Sequence, residues 1–315
     1  MAELLSLTLA AVTPAAEGIS LFEFRAGPGQ GPLPPFEPGA HLSLMLPSGI
    51  ERQYSLCNNP DEHGRYVVAV KREAEGRGGS REMHGLVPGQ VLRSRPPANH
   101  FPLAPAPAPV LLIAGGIGVT PIVAMAHRLA RDRRPFRLVF LARSRKEAAF
   151  LDTLRDLAGA GLVLHFDDEA AGFYDLAGLL SGADPAAHIH CCGPAPLMEA
   201  VRRAAASWPE NQLHFEFFAN AAEAHAEGDQ PFTLILARSR REVAVGAAET
   251  PLEALLRQGV DVDYSCTEGT CGTCITRVIE GEVDHRDAVL MPGEKASNIV
   301  LCCSRAKGER LTVDL

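Results

Sequence analysis

Cys266, Cys271 and Cys274, spaced Cys-x4-Cys-x2-Cys, with a fourth cysteine available from the distant pair Cys302-Cys303, restrict this chain more than any other feature. That is the ligand spacing of plant-type 2Fe-2S centres. Iron–sulfur cores take soft thiolate ligands, and three thiolates so close together need a tight loop. The loop reads Cys-Thr-Glu-Gly-Thr-Cys-Gly-Thr-Cys, in which Gly269 and Gly272 let the backbone turn and aim amides at the sulfurs. A zinc site would pair two Cys-x2-Cys units, and only Cys271 and Cys274 form one. A disulfide framework suits short secreted chains, whereas this one has 315 residues, 46% of them hydrophobic, enough to build its own cores. Eight cysteines with such a motif imply a reducing compartment. The fourth ligand stays open on spacing alone: if residues 302 and 303 are extended, their side chains point to opposite faces and only one reaches the cluster.

A net charge of −8 argues against a nucleic-acid partner. It suits simple solubility, or an acidic face that steers docking to a redox protein, with Asp263 and Glu268 flanking the first cysteine. Two apolar stretches resemble targeting elements. Residues 4–16 follow Glu3, precede the first basic side chain at Arg25 and alternate as a strand does. Residues 104–126 are interrupted by Gly115, Gly116, Gly118 and Pro121, which suits a nucleotide-binding strand and turn rather than a membrane span. The expectation is a cytoplasmic protein without a membrane segment.

Periodicity divides the chain into three. Residues 1–103 hold short alternating runs, such as 41–45 and 66–71, between Gly- and Pro-rich turns, which predicts a small antiparallel β-barrel. Residues 104–226 alternate buried apolar strands at 110–114, 136–142 and 162–166 with helical stretches, which predicts an α/β domain with a parallel sheet. Residues 231–315 open with strand-like runs at 233–237 and 242–245 and a helical pattern at 251–258, before the cysteine loop. Residues 219–230, rich in Ala, Glu and Gly, read as the linker.

Each segment carries binding chemistry. In the first, Arg52-Gln53-Tyr54-Ser55 ends a strand and Gly78-Gly79-Ser80 reads as a turn. Arg52 offers a bidentate donor to phosphate, and the Gly79 amide and Ser80 hydroxyl complete an anion pocket. Tyr54 suits the face of a flavin ring and Ser55 its polar edge. In the second, the apolar run 110–114 leads into Gly115-Gly116-Ile117-Gly118-Val119-Thr120-Pro121, where a turn and a helix start present free amides to a pyrophosphate. Arg143, Ser144 and Arg145 follow the next strand and would meet ribose and phosphates. Cys192-Gly193-Pro194 ends a later strand, at the carboxyl edge where such sheets bind ligands. The string His188-Ile189-His190-Cys191-Cys192 invites a metal reading, but its side chains alternate faces and a core strand accounts for it better. His214-Phe215-Glu216-Phe217-Phe218 reads as an edge strand, and Asp284-His285-Arg286-Asp287 as a charged turn.

Together these strings resemble the flavin and pyridine-nucleotide signatures of ferredoxin reductase-type proteins. Their order along the whole chain, with a ferredoxin segment last, is similar to the class IA Rieske oxygenase reductases of the phthalate dioxygenase reductase type, related to vanillate demethylase reductases. The resemblance implies FMN, NADH and a β-grasp fold around the 2Fe-2S cluster. It implies that Lys71 contacts the flavin, that Thr120 lies between nicotinamide and flavin, that Cys192 and Gly193 flank the nicotinamide, and that Phe218 lies near the flavin. The ending Leu301-Cys302-Cys303-Ser304-Arg305-Ala306 is similar to the family's ligand cysteine before a small apolar residue and Ser-Arg, which selects Cys302. The implied activity is that of an NADH:acceptor oxidoreductase passing hydride to FMN, then single electrons through the cluster to a Rieske-type terminal oxygenase acting on an aromatic or similar small substrate. A cytochrome P450 is the alternative acceptor. The residues alone leave the nucleotide open: Asp167 and Asp168 would repel a 2′-phosphate, whereas Arg143 and Arg145 would attract one. A substrate-oxidising flavin oxygenase would need a further apolar domain for which no residues remain. A redox-sensing protein without turnover would not sustain cytochrome c or ferricyanide reduction.

Overall fold

The computed structural model describes residues 4–74, 78–220, 222 and 224–315. Glu3, and Ala221 and Glu223 of the expected linker, lie outside the described residues. The chain forms two compact units, Met1–Phe215 and Glu216–Leu315.

The first unit begins with seven strands: β1 (Leu5–Ala16), β2 (Ile19–Ala26), β3 (Ala40–Met45), β4 (Glu51–Ser55), β5 (Tyr66–Lys71), β6 (Val91–Ser94) and β7 (Ala98–Asn99), with helix α1 (Gly79–His84) between β5 and β6. The order is β4-β3-β6-β1-β2-β5, with β7 beside β3, and the pairs are antiparallel. Leu56, just past β4, bridges Val68 on β5 and brings the two ends of the ladder together. Closure removes the exposed edges an open sheet would leave. Period-2 alternation sends Leu7, Leu9, Phe22, Phe24, Leu42 and Leu44 inward.

Next come β8 (Val110–Gly115), α2 (Val119–Arg131), β9 (Phe136–Ala142), α3 (Leu151–Ala158), β10 (Leu162–Phe166), α4 (Leu176–Ser181), β11 (His188–Cys192), α5 (Ala195–Ala204) and β12 (Leu213–Glu216). The sheet order is β10-β9-β8-β11-β12, and β8 runs parallel to β9 and β11, as β9 does to β10. The chain leaves β8 in one direction and later returns to its other side, so the carboxyl end of β8 is the switch point where open α/β sheets hold ligands. The unbroken run Val67-Val68-Ala69-Val70 follows from burial on both faces: Val68 and Val70 join the barrel core, while Val67 and Ala69 join a second core with Val119, Ile122 and Met125 of α2.

The histidines of β11 stack on β12. His190 lies 4.4 Å and His188 5.2 Å from the His214 ring, centroid to centroid, and His188 Nδ1 shares a hydrogen bond with His214 Nε2 at 2.9 Å. His190 Nε2 accepts from the Ala104 amide at 3.1 Å. Burial, reinforced by the neighbouring imidazoles, lowers His190 to about 3 and His214 to about 4. Both must be neutral in the folded state yet protonate near pH 6.5 when unfolded, so stability is complete above that pH and lost as pH falls toward the folded values. Between pH 7 and pH 5 the pair is expected to cost the first unit roughly 2 kcal/mol, after discounting the half-buried His214. Urea midpoints followed by circular dichroism, falling over that window, would check this; a flat profile would count against it.

The second unit contains β13 (Phe232–Leu236), β14 (Arg241–Val245), α6 (Pro251–Arg257), β15 (Ile275–Glu280), β16 (Val283–Asp284), α7 (Pro292–Lys295), β17 (Asn298–Val300), β18 (Arg305–Ala306) and β19 (Arg310–Val313). The main sheet runs β14-β13-β19-β15-β17, with β16 and β18 as a separate pair. The last strand lies parallel to the first, and the other pairs of the main sheet are antiparallel. A Thr250/Glu253 capping box and Pro251 start α6, which buries Leu252, Ala254 and Leu255. The strand and helix expectations for 233–237, 242–245 and 251–258 fall within a residue of these elements.

Residues of the expected linker are bonded into this unit. Asn220 Nδ2 donates to the Arg286 carbonyl at 2.6 Å. Asp229 accepts from Arg286 Nη1 at 2.8 Å and Nη2 at 2.6 Å, and the Arg286 guanidinium also reaches the Ala224 carbonyl at 3.1 Å. Arg305, 2% exposed, donates to the carbonyls of Gln230 at 3.0 Å and Gly246 at 2.9 Å. Side chains remote in sequence therefore tie Asn220, Asp229 and Gln230 to the second unit.

Candidate functional site

In the barrel, β4 carries Arg52, Tyr54 and Ser55 opposite Leu44, Leu42 and His41 of β3. Tyr54 packs against the barrel core, and burial pushes its phenol up to about 12. Ser55 is buried. Arg52 runs across Gly79: a Cβ there would stand 2.8 Å from the Arg52 Cγ and Nε atoms. A side chain at residue 79 would displace Arg52 from the start of α1. The Gly78-Gly79-Ser80 string is not a free turn, as read from its composition. Gly78, at φ +89°, precedes α1, and Gly79 and Ser80 open it. Ser80 Oγ accepts the Glu73 amide at 3.1 Å. Arg52, Gly79 and Ser80 thus share one corner, and an anionic phosphate fits this donor set. Lys71 ends β5 and pairs with Glu147 beyond β9 at 3.1 Å, a partner that sequence spacing did not suggest. Phe218 lies in the second unit and is 44% exposed.

At the switch point, Gly115 and Gly118 are packing glycines. A Cβ on Gly118 would lie 2.3 Å from the Cys192 carbonyl oxygen, and one on Gly115 would lie 2.8 Å from Pro194 Cδ and 3.3 Å from Gly193 Cα. The two turns at the ends of β8 and β11 therefore touch backbone to backbone. Gly116 has φ +53° with open space beside it and begins a 3-10 turn that leads into α2. This turn packs against β5. Thr120 is buried in the first turn of α2, its hydroxyl donating to the Ile117 carbonyl at 3.1 Å. Cys192 is fully buried. Arg143 and Arg145 are exposed and Ser144 half-buried at the carboxyl end of β9.

The cysteine loop gathers four thiols. The amide of Gly269 donates to Cys302 Sγ at 3.2 Å, those of Glu268 and Thr270 to Cys266 Sγ at 3.4 Å each, and that of Cys266 to Cys271 Sγ at 3.5 Å. Positive φ at Thr267 (58°), Gly269 (74°) and Gly272 (78°) bends the loop so that successive amides converge. Cys266 is held well below the usual thiol range first by the Cys271 and Cys302 thiols, then by Thr270 and the Glu268 amide. Its partner Cys271 is pushed up by the same bond. Cys302 also neighbours Cys274. Residues 301–303 form a turn rather than the extended segment assumed from sequence. Cys303 Sγ faces the Val300 carbonyl at 3.9 Å and Ser304 Oγ at 3.8 Å.

Cys274 and Cys302 are buried, while Cys266 and Cys271 are partly exposed, so the thiol group has one edge toward solvent. Among the described residues no three His, Cys, Asp or Glu side chains gather as around a single metal ion. A 2Fe-2S core differs from such a site, because it divides four thiolates between two irons. The donor set and the amides directed at sulfur fit that core. Asn220, Thr273 and Ser304 also pack about the thiol loop. Thr273 Oγ1 is 3.2 Å from Cys271 Sγ, and Ser304 Oγ accepts the Arg286 amide at 3.1 Å. Only Ser304, inside the Cys-Ser-Arg ending, had a sequence signal.

Comparison with known proteins agrees with this geometry. Residues 234–307 match the 2Fe-2S iron-sulfur cluster binding domain. The chain is 43% identical over 315 residues to the phenoxybenzoate dioxygenase subunit beta of Ectopseudomonas oleovorans, covering 98% of this chain and 97% of that protein. It is 41% identical over 315 residues to the phthalate dioxygenase reductase of Burkholderia cepacia, covering 99% and 97%. A solved phthalate dioxygenase reductase, described as a modular structure for electron transfer from pyridine nucleotides to [2Fe-2S], matches with a TM-score of 0.72 and 40% identity over 99% of this chain and 98% of that one. An intact type IV self-sufficient cytochrome P450 monooxygenase matches with a TM-score of 0.83 and 36% identity over 99% of this chain but 41% of its own. On full-length identity and on these cysteines, the chain belongs to the phthalate dioxygenase reductase-like family of flavin and 2Fe-2S oxygenase reductases, NAD(P)H-dependent oxidoreductases.

Proposed function

We propose that this chain is a cytoplasmic reductase that takes electrons from NADH, holds FMN as its flavin, and serves a terminal oxygenase of the Rieske type that attacks an aromatic or similar small substrate. The observation that carries this reading is the gathering of Cys266, Cys271, Cys274 and Cys302 under converging amides, in a chain that resembles phthalate dioxygenase reductase from end to end. The division into a flavin barrel (1–103), a nucleotide domain (104–226) and a ferredoxin domain (231–315) is part of the proposal.

When bound, a flavin would supply the conversion between the electron pairs of a nicotinamide and the single electrons that a 2Fe-2S centre takes. The chain's own residues bind and position. Arg52, with the Gly79 amide and Ser80, would hold the FMN phosphate, while Tyr54, Ser55 and Lys71 would line the ring. The turn Gly115-Gly116-Ile117-Gly118 and the start of α2 would take the pyrophosphate. Thr120, Cys192, Gly193 and Pro194 would border the nicotinamide, and Arg143 and Ser144 the adenosine ribose. The backbone contact between the two turns keeps side chains out of the approach path. Hydride transfer needs no acid or base, so none is assigned. Cys266 and Cys271, at the exposed edge, mark where an acceptor approaches.

A cytochrome P450 acceptor is the second reading, favoured by the likeness to the self-sufficient P450 monooxygenase. Anaerobic titration with NADH and NADPH, followed by visible absorption and electron paramagnetic resonance, tests the core. NADH is expected to bleach the flavin and raise a reduced 2Fe-2S signal. Flavin reduction without that signal, or FAD among the extracted cofactors, would sink the corresponding part. Reconstitution with a Rieske oxygenase and with a P450 separates the two acceptors.

A further inference from the structure

Around the switch point, the β11 side of β8 is taken up by the Cys192-Gly193-Pro194 turn pressed against Gly115 and Gly118. The nucleotide placed under "Proposed function" must therefore extend its adenosine end the other way, over the carboxyl ends of β9 and β10. Those ends lie side by side, with Ala142 opposite Phe166. The chain past β10 still follows β9, since the Asp167 amide donates to the Ala142 carbonyl at 3.0 Å and the Asp168 amide to that of Arg143 at 3.1 Å; it then folds back as the Glu169 amide donates to Phe166 at 3.1 Å.

That reversal sets the Glu169 carboxylate against Arg145. Arg145 Nε donates to Oε1 at 3.0 Å and Nη2 to Oε2 at 2.8 Å, and the guanidinium carbon stands 4.3 Å above the Phe166 ring. One edge of the guanidinium is thus occupied by a bidentate carboxylate and one face by an aromatic ring. From sequence, Arg145 counted as a cation able to attract a 2′-phosphate; in the structure that edge of its guanidinium is held by Glu169. Asp167 and Asp168 are exposed on the same rim and would repel a dianion. A pair half-exposed to solvent adds little stability, but it competes directly with a phosphate for the same donors.

We infer that Glu169 is a specificity-determining residue of the nucleotide site: by closing the Arg145 fork it makes the adenosine end accept a free 2′-hydroxyl and reject a 2′-phosphate. This rests on the NADH reading above and assigns it to one ion pair.

The test is kcat/KM for NADH and for NADPH in ferricyanide reduction by the holoenzyme, for the parent, Glu169→Gln, and Glu169→Gln combined with Arg145→Ala. Glu169→Gln should lower the NADH/NADPH ratio about tenfold, chiefly through a lower KM for NADPH, as expected for one charge-assisted hydrogen bond gained. That gain should shrink at high salt and disappear in the double variant. An unchanged ratio in Glu169→Gln, or a shift that survives loss of Arg145, overturns the inference. A parent enzyme that uses NADPH as well as NADH overturns the NADH reading itself, whatever the variants do.

Discussion

Replacing Cys302 with serine is expected to abolish the 2Fe-2S signal and reduce NADH-driven cytochrome c reduction to background, while NADH still bleaches the flavin. Cys302 Sγ receives the Gly269 amide at 3.2 Å and neighbours both Cys266 and Cys274. A hard serine oxygen is a poor substitute for a soft thiolate on iron. Cys303 lies one residue further round the turn, beneath the loop: its sulfur is the atom that a Cβ on Gly269 would meet at 2.6 Å. Cys303→Ser should therefore retain the cluster. Iron and sulfide content, with the resonance spectrum of the reduced protein, reads the outcome. Loss of the cluster in Cys303→Ser together with its retention in Cys302→Ser would reverse the assignment.

Asp229→Ala is expected to destabilise the second unit by about 2–3 kcal/mol, because it removes the charge-assisted hydrogen bonds of nearly buried Arg286, which keeps Asp284 at 2.7 Å, and the carboxylate beside Arg305. The Asp229 and Arg286 side chains are 9% and 13% exposed, and Arg305 Nε lies 3.6 Å from the same carboxylate. Arg286 holds the Asp229 carboxyl well below the usual range, so this stabilisation is present near neutral pH and lost only as strong acid protonates it. In a unit of about 100 residues the change lowers the melting midpoint by about 10 °C. Heating the holoprotein while following the visible absorbance of the cluster measures it. Replacing both partners, Asp229→Ala with Arg286→Met, should recover part of the loss. An unaltered midpoint in Asp229→Ala would show that the network carries no net stability.

The legible and illegible parts of the molecule separate by the range of the interactions involved. The β9 and β10 bounds could be read because apolar periodicity is local, and the cluster loop because its three cysteines lie within one short segment. The start of α1 at Gly79 was hidden, since Gly-Gly-Ser reads as a turn until the Arg52 side chain is known to need the space at Gly79. Residues 219–230 read as a linker from composition, yet Asn220, Asp229 and Gln230 are held by Arg286 and Arg305, more than fifty residues later. The roles of Gly115 and Gly118 were half-visible: a glycine turn was evident, but its contact with Cys192 and Gly193 depends on β11 pairing beside β8.

By itself, the sequence determined the class of chemistry, because soft-ligand spacing, a glycine turn after a buried strand and a closing Ser-Arg each work within a few residues. It also determined the order of barrel, α/β and ferredoxin segments, through changes of hydrophobic period. Tertiary structure alone decided that Cys303 faces Val300 and Ser304, that Lys71 meets Glu147, and that Arg145 is closed by Glu169. The last two choices depend on distances between residues remote in the chain, and one-dimensional spacing does not carry such distances.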